Sequence, residues 1–117
     1  METTKNAIKE KSMELAVRIV SLYRHLCESK KEYVMSKQIL RSGTSIGANV
    51  REGIYAQSKD DFISKMSIAL KEASETEYWL ELLRKTNYVT EQEYESIRKD
   101  CGEVARILTA IVKTAKS

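Results

Sequence analysis

The sequence predicts an all-α protein, an up-down-up-down antiparallel four-helix bundle forming one domain over residues 1–117. Three observations carry that prediction. The chain has no proline and four glycines, and 32% of it is charged with both signs mixed, which suits long helices better than strands and tight turns. Apolar residues recur at alternating steps of three and four along four separate stretches. The connections between these stretches are short, so consecutive helices should run antiparallel. A chain of 117 residues buries about 65% of its unfolded surface, enough for a core without disulfide or metal staples.

The first helix is expected from about Asn6 to Glu28, started by Thr3 or Thr4. Its core stripe is Ile8, Ser12, Leu15, Ile19, Leu22 and Leu26. A second stripe of Met13, Val17, Val20 and Cys27 lies beside it, with Ala16 and Tyr23 between. One bundle interior cannot cover so wide an apolar arc, which points to a further partner surface. In the connection SKKEY, Ser29 and Glu32 fit a capping box for a second helix that runs to about Ala56. Ser58 with Asp61 marks the start of the third, which reaches about Thr86 and turns Phe62, Met66, Ala69, Ala73, Thr76, Leu80 and Leu83 inward. Ile68, Trp79 and Leu82 fall off that stripe and add apolar surface. Asn87 suits a left-handed helix end. Thr90 with Glu93 is the clearest capping box, and the last helix keeps a strict stripe of Tyr94, Ile97, Cys101, Val104, Leu108, Ile111 and Ala115.

The second helix holds the most unusual stretch, RSGTSIGANVREG from Arg41 to Gly53, with three of the four glycines. A glycine inside a helix costs about 1 kcal/mol relative to alanine, so Gly43 and Gly47 imply a compensating close approach by another helix. Ile39, Gly43, Ile46, Val50 and Gly53 form an apolar-and-small stripe. Beside it Ser42, Ser45, Asn49 and Glu52 form a polar seam, read as a buried hydrogen-bond network that fixes helix register in preference to a binding site. Arg41 and Arg51 bracket the seam. Pairing with Glu52, pairing with an acid of the third helix and contact with a phosphate all stay open for them.

Catalysis has little to work with. His25 is the only histidine, and a lone helical histidine is usually a surface or packing residue. No pair of Glu-x-x-His motifs, zinc spacing, phosphate loop or nucleophile elbow is present. Cys27 and Cys101 occupy apolar helical positions, as buried inert thiols do. The reading is therefore not an enzyme, with no catalytic residue, no cofactor and no metal. No stretch approaches the ~20 apolar residues of a membrane span and no signal peptide is seen, so a reduced, cytoplasmic location is expected.

The net charge is +3, too small to demand nucleic acid by itself. Its distribution is uneven, with seven basic against four acidic residues from Met1 to Lys31 and five against six from Lys59 to Thr86. On the last helix Lys99, Arg106 and Lys113 recur every seven residues opposite the apolar stripe, with Lys116 beyond them and Asp100 and Glu103 interrupting. A solvated face is the ordinary meaning of such a row. Repeated by oligomer symmetry, the same row builds a strongly positive surface able to hold phosphates. Aromatic residues are few and scattered, so binding would be directed mainly to the backbone of a nucleic acid.

The run SGTSIGANVREG, followed by SKDDFISKMSIALKEASETEYWLELL, resembles the signature of a bacterial family of small four-helix bundles encoded in intervening sequences of 23S rRNA genes, some of them labelled S23 ribosomal protein. Ser42, Ser45, Ile46, Asn49, Glu52 and Gly53 match its motif, Val50 stands for isoleucine, and Ser58 and Phe62 match the opening of the third helix. The resemblance continues to Asn87-Tyr88-Val89 and the capped fourth helix. It implies a four-helix bundle that assembles as a homopentamer. A related branch is similar to the accessory protein of diversity-generating retroelements, a basic pentamer that partners a reverse transcriptase and binds nucleic acid; this chain is less basic than that branch. The resemblance carries over no active site.

Two functions follow as expectations. One is a homo-oligomer that binds RNA or DNA phosphates through basic helix faces, with Lys99, Arg106, Lys113, Lys116, Arg41 and Arg51 as candidate contacts. The other is an interaction scaffold for a protein partner, with no nucleic-acid role.

Overall fold

In a computed structural model, which describes residues 2–117 (Glu2 for its backbone alone), the chain forms four helices and no strand among the described residues. They are α1 (Glu2–Glu28), α2 (Met35–Ile54), α3 (Lys59–Lys85) and α4 (Glu91–Lys116). The bundle measures 44 × 21 × 19 Å, and its long axis agrees with helices of some 27 residues at about 1.5 Å per residue. The helices pack in a ring, α1 on α2, α2 on α3, α3 on α4 and α4 on α1, and across the α1–α3 diagonal the Lys5 ammonium lies 5.4 Å from the centre of the Phe62 ring. The α1–α4 contact is the sparsest of the four. Every residue of the expected α1 stripe is buried, from Ile8 to Leu26, as are the α4 positions from Ile97 to Ala115.

The helix ends follow local chemistry. Ser58 caps α3 by accepting from the Asp61 amide at 3.0 Å. Thr90 and Glu93 form both halves of a capping box. Asn87 adopts φ 68°, and the Tyr88 and Asn87 amides donate back to the Leu83 and Arg84 carbonyls to close the end of α3.

Two expectations need correction. Helix α1 is already formed at Glu2, so Thr3 and Thr4 lie inside it. The Ser29–Glu32 capping box does not form. The Ser29 amide instead continues α1 by donating to His25, and Lys31 turns the chain at φ 56°. Glu32 then reaches forward. Its carboxylate accepts from the amides of Val34, Met35 and Ser36 at 2.8–3.1 Å, so one buried acid satisfies three of the free N–H groups that open α2.

Helix α2 is the one with two differently built sides. Toward α1, a Cβ on Gly43 would sit 2.8 Å from both Ile19 Cγ atoms, so only glycine allows this approach. Gly47 differs from the expectation: a Cβ there would meet Ser12 at 3.5 Å, an ordinary contact. The close approach belongs to Gly43 alone. Toward α3, a Cβ on Gly53 would crowd the Met66 Cε at 3.0 Å and Lys65 Cβ at 3.2 Å.

Candidate nucleic-acid interface

The last helix presents its apolar stripe inward and leaves Lys99, Arg106, Lys113 and Lys116 exposed. Steps of seven residues place the first three about 10 Å apart along the helix axis. None of the four is ion-paired with another described residue. The two acids that interrupt the row in sequence are drawn to the α1 side. Asp100 accepts from Arg18 Nη1 at 2.7 Å, and Arg18 also donates to the Ser96 hydroxyl and carbonyl. Glu103 pairs with Lys11 at 2.9 Å. Hydrogen bonding to Glu103, followed by its charge, raises the Lys11 ammonium above the ordinary lysine range. From Lys99 to Lys116 the outward face carries cations with Thr109 and Ala110 between them, and the acid at its edge, Glu103, is turned toward Lys11. The same pairs offset two cations of α1, at the exposed edge of the α1–α4 seam.

Arg41 and Arg51 are not part of this face, because α2 lies diagonally across the bundle from α4. Arg41 pairs with Glu75 of α3 at 2.6 Å, one of the open alternatives. Glu75 also accepts from Trp79 Nε1 at 3.1 Å. The Trp79 hydrogen bond, and then Arg41, hold the Glu75 carboxyl below the usual carboxylate range against a partial desolvation that pushes the other way. Arg51 lies on the opposite flank, beside Lys9 and Met13 at a cleft of about 410 Å³ between α1 and α2.

The polar seam is narrower than the sequence implied. Ser42 is fully buried and its Oγ accepts from Thr76 Oγ1 at 3.0 Å, a bond between α2 and α3. Ser45 donates to the Arg41 carbonyl and Asn49 to the Ser45 carbonyl, both within α2. Glu52 is exposed and pairs with Lys65 at 3.0 Å. Ile46 is in the core. The motif residues thus join α2 to α3 through one buried hydroxyl pair, one surface ion pair and the bare Cα of Gly53.

His25 is half-buried in a cleft of about 530 Å³ between α1 and α4, lined also by Val17, Leu22, Glu93 and Ile97. Cys101 is buried, donates to the Ala73 carbonyl at 3.5 Å, and has its thiol pushed up to about 12, chiefly by burial. Cys27 is only half-buried, 3.7 Å from the Ser36 hydroxyl, so the expectation of two buried thiols holds for one of them. No cluster of three or more potential metal ligands occurs among the described residues. No described helix is long and apolar enough to cross a membrane.

Among the stripes read as excess apolar surface, Met13 and Val17 are 50% and 61% exposed and Ile68 is 37% exposed. Val20, Trp79 and Leu82 are half-buried.

Comparison with known proteins gives a consistent result. The family model described as 23S rRNA-intervening sequence protein matches residues 4–110. A solved structure of a protein of unknown function from the S23 ribosomal protein family of Bacteroides thetaiotaomicron VPI-5482 is 61% identical, with a TM-score of 0.93 over 94% of this chain and 98% of that one. No curated protein matches.

Proposed function

The chain belongs to the family of 23S rRNA-intervening sequence proteins, and from that premise we propose a non-enzymatic, homo-oligomeric bundle that binds nucleic-acid phosphates through the outer face of α4. The observation that carries this reading is the disposal of Asp100 and Glu103. Both are held by Arg18 and Lys11, which leaves Lys99, Arg106, Lys113 and Lys116 as a row of cations without an ion-pair partner among the described residues. A row of this kind tracks a backbone and reads no bases. Oligomer symmetry multiplies it, and the exposed Met13 and Val17 supply a reason to associate. Free thiols fit a reduced, cytoplasmic setting.

The test is a binding titration against duplex DNA and duplex RNA at two salt concentrations. Changing all four cations to glutamine should remove most of the affinity while fold and assembly stay intact, since exposed substitutions stay within about 0.5 kcal/mol of neutral. Each phosphate that is no longer neutralised should flatten the log–log salt dependence by about 0.9 on duplex DNA. A parent protein that binds neither duplex at low salt would leave the exposed α1 stripe in favour of the scaffold reading.

A further inference from the structure

The connection between α1 and α2 presents a second cationic surface, at the end of the bundle where α4 begins. Lys30, Lys31, Tyr33, Val34 and Lys37 are all exposed there, Tyr33 by 52% and Val34 by 73%. In sequence this stretch looks balanced, because Glu32 stands among the lysines. In the structure Glu32 is withdrawn. Its residue is 8% exposed, and both carboxylate oxygens are occupied by the three opening amides of α2. The acid therefore serves the backbone, and the loop shows solvent its cations and its aromatic ring.

The other charges at this end do not cancel the surplus. Glu91 is paired with Arg84 and Lys85 with Glu81. Glu93 is held by the Thr90 amide, and that bond, more than the nearby His25 and Lys30, keeps its carboxyl below the usual range. Glu28 and Glu93 stand exposed, against Arg24, Lys30, Lys31 and Lys37. None of these four cations is ion-paired with another described residue, although Lys31 donates to the Glu28 carbonyl at 2.9 Å.

The loop is also preorganised. Hydrogen bonds donated by the Ser29, Lys30 and Glu32 amides to α1 carbonyls, the Ser36 hydroxyl on the Glu32 carbonyl, and the three bonds accepted by the Glu32 carboxylate fix it on both sides. The Tyr33 ring makes no aromatic stack and its hydroxyl no hydrogen bond among the described residues. A free aromatic face on a rigid, cationic loop has the chemistry of a stacking platform for an unpaired base, with ammonium groups placed for the flanking phosphates.

We propose that the Lys30–Lys37 loop binds single-stranded nucleic acid, with a base stacked on Tyr33 and phosphates held by Lys30 and Lys37. A base in a duplex is already stacked on its neighbours and offers no free face, so the loop selects single strands, ends or bulges. This goes beyond the α4 row, which needs only phosphates, and stands independently of it.

The probes are short fluorescent oligoadenylates, ribo and deoxy, beside a blunt duplex, titrated with the full chain. Tyr33→Ala should weaken single-strand binding about tenfold, a loss within the range for one stacked base. It should leave duplex binding unchanged, and Tyr33→Phe should keep the parent's single-strand affinity. Lys30→Gln with Lys37→Gln should flatten the single-strand salt dependence by about 0.7 for each phosphate set free. Loss in both sugars supports a base-and-phosphate site, and loss in one assigns the site to that nucleic acid. Equal binding by parent and Tyr33→Ala overturns the proposal and leaves the α4 row standing. Tyr33-dependent binding of single strands with no duplex binding supports it while removing the α4 row. A parent that binds no probe overturns both.

Discussion

Two glycines four residues apart on one helix have opposite roles. At Gly43 an added methyl would collide with the branched side chain of Ile19, whose Cβ is itself 3.1 Å away and cannot swing clear. Gly43→Ala should therefore destabilise by about 1–3 kcal/mol, the usual cost of overpacking a tight contact. At Gly47 the methyl would meet Ser12 at 3.5 Å, and Gly47→Ala should stabilise by up to about 1 kcal/mol through helix propensity. Denaturant titrations of the two variants should move in opposite directions from the parent. Sequence could say that glycine was costly in this helix, but not which glycine was compensated. That depends on which residue of α1 stands opposite, a register set by packing two dozen residues or more away. Ser42 shows the same limit. Its burial follows from the stripe, whereas its bond to Thr76 lies 34 residues distant.

At the scale of the helices, nearly everything that is periodic was legible. Each expected core stripe is the buried one except at Phe62 and Tyr94, whose large rings are half-buried at the margin of the core, and the caps at Ser58 and Thr90 and the left-handed Asn87 fall where short-range chemistry puts them. The start of α2 was not legible, because Ser29 and Glu32 match a capping box by spacing while Ser29 is still held by the end of α1. The acid alone does the capping. Glu32→Ala should cost about 1–2 kcal/mol, at the upper end for helix caps, since three amides lose a charged acceptor together. A thermal melt would show this as a lower midpoint; an unchanged midpoint would mean that water replaces the carboxylate without loss. The ion pairs that clear the α4 face were equally hidden. Arg18 and Asp100 are 82 residues apart, and nothing local distinguishes an acid that interrupts a basic row from one that turns aside.

For the molecule as a whole, the chain leaves Met13 and Val17 largely in water on α1, and Ile68 partly so on α3. These patches lie on different faces, so a contact between them is head-to-tail and closes into a ring when the rotation allows. Light scattering should give a mass that is a multiple of 13.4 kDa, five subunits being the expected number. Val17→Glu with Met13→Lys should shift the protein toward the single-subunit mass while its helical content stays the same. A parent that is already a monomer at micromolar concentration would remove the assembly from the proposed function.

Cys101 has a consequence for how the bundle's opening can be followed. Its thiol is sealed between α3 and α4 and remains protonated throughout the physiological range, with its proton directed to the Ala73 carbonyl. A thiol in that state is a poor nucleophile, and alkylating reagents cannot reach it while the helices are joined. Once the bundle opens, it regains the ordinary acidity of a solvated cysteine, about 8.5, and becomes reactive. In protein whose Cys27 has been replaced by serine, the rate of covalent labelling then reports the fraction of molecules that are open at any moment. The same residue that fills the core thus provides a chemical measure of how often the core comes apart.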